Sequence, residues 1–298
     1  MRQYRIALIA LGIAVPAAAE TIAITGRFPA PNREAGYIRR ISVDRVTGTD
    51  GRALAFSLER ALGSAGREVV LGGAPADAGI SGDVATEINE GRVEQQREQC
   101  TQKNGDQCTK REQVKLICNR RAVDMIADLR IAGDRRGDVL YSARKTRHDE
   151  VIYCPDDGRP GPIEGVVRGM VDDIAGEVAH DITPYTQTYS LRFYESRDGM
   201  AKEVGQRFKE AISQTKRDMP GACAALAALD REVPHFAVAY DTGLCAEAAG
   251  DYRGALAAYQ RARDLRPRDA VDFNAGIDRA QRLIARAEDD KAGRTAVR

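Results

Sequence analysis

The sequence predicts an α+β domain, an antiparallel sheet with packed helices, followed by an all-α helical domain. Three observations carry this. Residues 79–154 alternate apolar and polar side chains for longer than any other stretch, the period of half-buried strands. Residues 163–178 place Ile163, Val166, Val167, Met170, Val171, Ile174 and Val178 on one helical stripe. From Met200 onwards the chain reads as helices punctuated by Gly250 and Pro267.

The start of the chain sets the compartment. Arg2 and Arg5 precede a short apolar run, Ile6 to Val15, and Ala17-Ala18-Ala19 forms a small-residue cleavage signature. This is the pattern of a secretory signal peptide over residues 1–19, leaving Glu20 as the mature start. The run is far short of the ~20 apolar residues that a spanning helix needs. No cysteine stands at the cleavage point for lipid attachment. Loss of Arg2 and Arg5 takes the formal net charge from +1 to −1. Basic pairs such as Arg39-Arg40 and Arg120-Arg121 are scattered among acids, which argues against nucleic-acid binding. The expected location is periplasmic, with no membrane span after cleavage. Aromatic residues make up 5% of the chain and Trp is absent, so the core must come from Ala, Val, Leu and Ile. Six cysteines in an exported chain then serve as covalent staples.

The expected domains are 20–195, the α+β part, and 196–298, the helical part with a frayed tail. Thr21 to Ile24 is a short edge strand. Residues 27–36 are irregular around Pro29 and Pro31. Ile38 to Val46 is a strand, and the turn 47–51 leads into a helix carrying Leu54, Leu58, Ala61 and Leu62, with Asp50 as its N-cap. That turn has neither the Lys-Ser/Thr of a P-loop nor a three-glycine dinucleotide pattern, so it is a plain strand-to-helix connection. Glu68 to Leu71 is a short strand.

The central stretch follows. Ile80, Val84 and Ile88 share one face of a strand, with Asp83 and Glu87 on the other. From Gly91 the chain turns strongly polar, and Asn104-Gly105 is a tight-turn signal. Two polar strands meeting there make a hairpin projecting beyond the sheet. Cys100 and Cys108 flank its tip and are expected to bond. On the return strand Val123, Met125, Ala127, Leu129 and Ile131 share one parity, while Val114, Leu116 and Cys118 have the other, so a bulge is expected near residues 119–122. A glycine-rich turn leads to Val139, Tyr141 and Ala143. Cys118 and Cys154 fall at similar distances along paired strands, the second expected bridge. Arg136-Gly137-Asp138 is explained by turn chemistry. After the amphipathic helix and Pro184, Thr186 to Tyr194 is a closing strand.

The order strand, helix, strand, three long strands, helix, strand resembles the periplasmic domain of the CsgG family, the TolB amino-terminal domain and the lipoprotein activators of penicillin-binding proteins. The matching stretches are GRALAFSLERALGSAGREVVL, AGISGDV and VDMIADLRIAGDRRGDVLYSARK. Asp134-Arg135-Arg136-Gly137-Asp138-Val139-Leu140 fits the family's hairpin pattern. The resemblance covers residues 38–194 and implies a non-enzymatic role in envelope assembly or partner binding. The missing lipidated cysteine sets the chain apart from a CsgG pore.

Residues 235–267 carry a sharper signature. Ala239, Gly243, Gly250, Asp251, Tyr252, Ala255, Tyr259, Ala262, Leu265 and Pro267 match the 34-residue tetratricopeptide (TPR) pattern in type and spacing. Gly243 and Ala255 permit close helix crossing, Gly250-Asp251 turns the chain, and Pro267 ends the second helix. Ala246 stands where an aromatic is expected. Residues 200–212 and 221–229 read as a degenerate preceding pair, and 270–287 as a capping helix. Cys223 and Cys245 would lie on neighbouring helices and form a third disulfide.

Catalytic patterns are sparse. His148, His180 and His235 show no metal-ligand spacing, and His148-Asp149-Glu150 reads as an exposed strand segment. No CxxC or Gly-x-Ser-x-Gly is present. The expectation is a non-catalytic periplasmic adaptor without cofactor or metal. It would bind an envelope protein or peptide through a TPR groove and a sheet or hairpin surface. An oligomeric secretion component of CsgG type and a hydrolase with an unrecognised site are the alternatives.

Overall fold

A computed structural model describes residues 20–71, 73–133 and 137–295, with the backbone alone at 269–270 and 292–295. The leader expected over residues 1–19 lies outside these residues, as do positions 134–136 of the hairpin motif. The fold is mixed α+β. In chain order its elements are β1 (Thr21–Phe28), β2 (Arg40–Gly48), α1 (Gly51–Ser64), β3 (Glu68–Val70), β4 (Ala78–Asn104), β5 (Gln107–Gly133), β6 (Val139–Tyr153), α2 (Ile163–Ile182) and β7 (Tyr185–Arg192). Helices α3 (Lys202–Gln214), α4 (Met219–Glu232), α5 (Phe236–Ala248), α6 (Tyr252–Leu265) and α7 (Ala270–Thr295) complete it.

The chain divides into two units, Pro29–Tyr185 and a second that joins the strand ending at Phe28 to Thr186–Arg298. The division therefore falls at 28/29 and 185/186, and not at 195. The reason is pairing. β1, expected as an edge strand, and β7, expected as a closing strand, pair with each other in a separate two-stranded sheet.

In the first unit five strands are ordered β3-β2-β4-β5-β6. β4, β5 and β6 run antiparallel, as expected, but β2 is parallel to both β3 and β4. The sheet is therefore mixed. Helix α1 accounts for the β2–β3 pair, because a helical crossover returns the chain in the direction it left. Leu54, Leu58 and Leu62 of α1 and Ile174, Val178 and Ile182 of α2 bury one face of the sheet against Ile41, Ile80, Val84, Val123, Met125 and Ile131. Full burial of such a side chain contributes about 1.5–3 kcal/mol. Ile88, four residues past Val84 and on the same parity, is 48% exposed although the opposite Val123 is fully buried, because β2 stops flanking β4 at Val84. Asp50 stands at the N-cap position of α1 as expected, but its side chain makes no capping bond. Its carboxylate accepts a bond from Thr86 Oγ1 at 2.5 Å and joins the helix start to β4.

The change of parity in β5 needs no bulge. Pairing with β4 runs unbroken from Gly133 to Arg111, and pairing with β6 from Asn119 to Ile131. Irregularities lie instead at residues 100–103 and 131–132. The apolar set changes sides because the cover does. Helices cover the odd-numbered side near Val123 to Ile131, while Cys154 meets the even-numbered side at Cys118.

The second unit packs β1 and β7 with the helices. Ile22, Ile24, Phe193, Phe208, Leu226, Phe236, Tyr240, Leu244, Tyr259 and Phe273 form its core. β1 alternates strictly, with Ile22, Ile24 and Phe28 inward.

Candidate functional site

Two features were expected to bind partners, the projecting hairpin and the helical face. Their geometry differs.

The hairpin begins where its neighbours stop. β2 accompanies β4 only to Val84, and β6 accompanies β5 only to Asn119. From Arg92 and Asn119 outwards the two strands continue alone to the Asn104↔Gln107 pair. At about 3.3 Å per residue that length is roughly 40 Å. The central turn residues are Gly105 and Asp106, one position later than the expected Asn104-Gly105. Gly105 takes φ +60°, and no other residue type among those described has positive φ. Glycine at the first central position is the preference of one of the two tight hairpin turns.

Residues 95–113 bury almost nothing. Cross-strand pairs Lys115–Glu94 (2.7 Å) and Arg111–Glu98 (3.6 Å) are exposed, each contributing at most about 1 kcal/mol. Disulfides hold both ends. Cys100 and Cys108 are bonded near the tip with Cα atoms 5.8 Å apart, and Cys118 and Cys154 at the base with Cα atoms 4.1 Å apart.

The segment after Cys154 adds a clamp that the sequence reading missed. Arg97 Nη1 donates to Asp157 Oδ1 at 2.7 Å, Gln99 Nε2 to Asp156 Oδ2 at 2.5 Å, and Arg121 Nη2 to the Gly161 carbonyl at 3.0 Å. The Arg97 hydrogen bond, then that from the Cys154 amide, hold the Asp157 carboxyl below the usual carboxylate range. The only signal in the sequence is the paired Asp156-Asp157 in a loop, too common a pattern to single out.

Above the sheet face away from the helices, Ser81, Asp83, Asp128, Arg130, Ser142 and Arg144 line a shallow depression of about 720 Å³. Its carboxylates are engaged. Arg144 donates twice to Asp128, at 2.8 Å each, and holds that carboxyl below its ordinary range. Thr47 Oγ1 donates to Asp83 at 2.7 Å.

The histidines do different things. His148 Nδ1 lies 2.7 Å from Asp124 on the exposed sheet face. His180 packs against the Tyr185 ring, and His235 Nδ1 accepts from the Ala237 amide at the start of α5. Gly137 and Asp138 of the tripeptide are at the turn before β6, and Arg136 is outside the described residues.

In the second unit the TPR-matching residues build a helical hairpin. Asp251 caps α6 by accepting from the Gly254 amide at 2.9 Å, and Gly250 takes φ +79° in the turn. The Tyr259 ring sits between α5 and α7. A Cβ on Gly243 would come within 2.6 Å of it, and one on Gly276 within 2.9 Å. Ala239, Ala255 and Ala262 are buried, Tyr252 is half-buried, and Leu265 is exposed beside Pro267, which begins a short 3₁₀ turn. Cys223 of α4 and Cys245 of α5 are bonded, their Cα atoms 5.5 Å apart.

The helical face is not an open groove. β1 contacts both α5 and α7. Ile22 and Ile24 share the core with Tyr240 and Leu244, and the Arg282 guanidinium lies 5.1 Å from the Phe28 ring centroid. β7 adds Tyr189, whose hydroxyl donates to Glu247 Oε1 at 2.5 Å. Glu247 is 1% exposed and also accepts from Tyr259 Oη (2.6 Å) and from Arg279 Nε (2.5 Å) and Nη2 (2.8 Å). Burial works to lower the Arg279 pKa, but the Glu247 hydrogen bond and charge outweigh it and raise it. This satisfied ion pair locks the strand layer to α5 and α7. A second buried carboxylate on α5, Asp241, accepts from the Tyr194 amide at 2.8 Å through one oxygen, while its other oxygen has no hydrogen-bond partner among the described residues. Burial pushes its pKa well above the ordinary value.

The expected peptide groove is thus filled by the chain's own strands. No pattern within residues 235–267 could reveal this, because β1 is some 200 residues away in sequence.

No family model matches the chain, and no curated protein matches it. Among solved structures, a minor lipoprotein from Acinetobacter baumannii is 14% identical, with 48% of this chain and 90% of that one covered, at TM-score 0.26. A PelC dodecamer from Paraburkholderia phytofirmans is 14% identical, covering 52% and 96%, at TM-score 0.24. These scores are too low to assign a shared fold.

Proposed function

We propose that this chain is a non-catalytic binding protein of the cell envelope that engages a protein partner through the outer half of the β4–β5 hairpin. The supporting observation is that residues 95–113 form a ribbon that buries no core yet is tied at both ends by disulfides. An isolated two-stranded hairpin is marginal in water, so the staples maintain a shape that packing does not require. Three disulfides fit an oxidising, exported setting. Among the described residues no helix is long and apolar enough to cross a membrane. In this reading residues 1–19 are a cleaved leader, the location is periplasmic, and the first unit is CsgG- or TolB-like. The helical unit is a TPR-like module closed by β1 and β7, which moves the binding role to the hairpin.

The test is crosslinking capture from an envelope extract. The intact chain is compared with one in which residues 95–116 are replaced by a two-residue turn joining the opposed Glu94 and Ile117, keeping Cys118 and Cys154. Loss of the captured protein is the expected result, and undiminished capture assigns binding elsewhere.

A further inference from the structure

We infer that the Cys100–Cys108 bond is a reducible latch, a redox-sensitive device that sets the order of the hairpin tip without touching either core. Three observations carry this. Access differs among the bonds: Cys100 and Cys108 are both partly exposed, Cys118 (0%) and Cys154 (2%) are both buried, and in the third bond Cys223 is partly exposed but Cys245 (8%) is buried, so only the latch offers both sulfurs. An attacking thiolate must reach a sulfur, so exposed bonds react first. Support differs too. The strands around the latch have no third strand and no apolar cover, and a two-stranded ribbon of this kind is marginal alone. Confinement is the third. Cys118–Cys154 and the Arg97–Asp157 and Gln99–Asp156 bonds hold the ribbon on the core side of the latch, so loosening should stop there.

The chemistry is thiol–disulfide exchange. One thiolate of a dithiol attacks a sulfur of the latch and displaces the other cysteine as thiolate. The second thiol of the reductant then resolves the mixed disulfide. Two electrons and two protons pass to the chain, leaving Cys100 and Cys108 as free thiols and the reductant as a disulfide. In an exported setting the reductant class is a dithiol oxidoreductase. Control of partner binding by the latch rests on the function proposed above; the latch itself does not.

The experiment uses the full chain and dithiothreitol alone. Graded reduction is quenched by alkylation, labelled cysteines are mapped by mass spectrometry, and amide exchange is measured on the same samples. The expected result is labelling of Cys100 and Cys108 at reductant levels that leave the other four cysteines protected. Exchange in residues 100–111 should rise at least tenfold, with no change in 78–84 and 123–131. Labelling of Cys118, Cys154, Cys223 or Cys245 at the same level overturns the proposal. So does a reduced latch with unchanged exchange at the tip. The double variant Cys100→Ser/Cys108→Ser should reproduce the reduced exchange pattern without reductant. A tip as protected in that variant as in the oxidised chain also overturns the proposal. None of these readouts involves a partner, so failure of the latch and failure of the binding role are told apart.

Discussion

The inner and outer halves of the β4–β5 hairpin are the same two strands under different physics. The inner half lies within a five-stranded sheet with two helices on one face, and Ile80, Val84, Met125 and Ile131 are fully buried there. The outer half has no third strand and holds its register through backbone bonds, weak exposed ion pairs, the bonds to Asp156 and Asp157 and one disulfide. Strand continuity alone therefore says little about stability. Cover decides it, and where cover ends, covalent links take over.

The largest effect should come from the inner half. Ile131→Ala removes a fully buried side chain and is expected to cost about 2–5 kcal/mol in urea unfolding. Gln96→Ala, on the exposed ribbon, should stay within about 0.5 kcal/mol. Equal losses would break the comparison. Next comes the base. Cys118→Ser with Cys154→Ser opens a buried link and should cost about 2–4 kcal/mol, seen as a lower thermal midpoint. The tip link constrains only a ribbon that buries no core, so its loss (Cys100→Ser with Cys108→Ser) should loosen the tip locally and leave the global midpoint nearly unchanged. If the midpoint drops as far as for the base variant, the outer half is part of the cooperative core.

The smallest effect is electrostatic. Because the Asp157 pKa is depressed in the folded chain, its contribution is present above the unfolded carboxylate value, about 3.9. It is lost as pH falls through the folded value. Amide protection near residues 95–99, taken relative to the intrinsic exchange rate at each pH, should therefore fall below about pH 4, and Asp157→Asn should show the lower protection at neutral pH already. A pH-independent profile would remove the clamp from the account.

Much of this was legible one element at a time. The alternation around Val123 to Ile131, the stripe on α2, the polar ribbon and the spacing of the cysteines all reflect local periodicity, which a linear reading detects. The pairing of β2 with β4 in parallel was missed because strand direction depends on the crossover and not on the strand. The false bulge in β5 arose from assuming one cover along the whole strand. Arg97–Asp157 and Glu247–Arg279 were invisible because each partner is an ordinary charged residue until the chain brings them together.

By itself the sequence determined the mixed α+β character, the helical second half and the short-range geometry of the hairpin, since side-chain period and turn chemistry are local. Only the tertiary structure decided which unit β1 joins. Its Ile22, Ile24 and Phe28 pattern suits any apolar surface, and the surface on offer, α5 with α7, is assembled from residues some 200 positions away. That choice closed the helical face and left the stapled hairpin as the surface that no core explains.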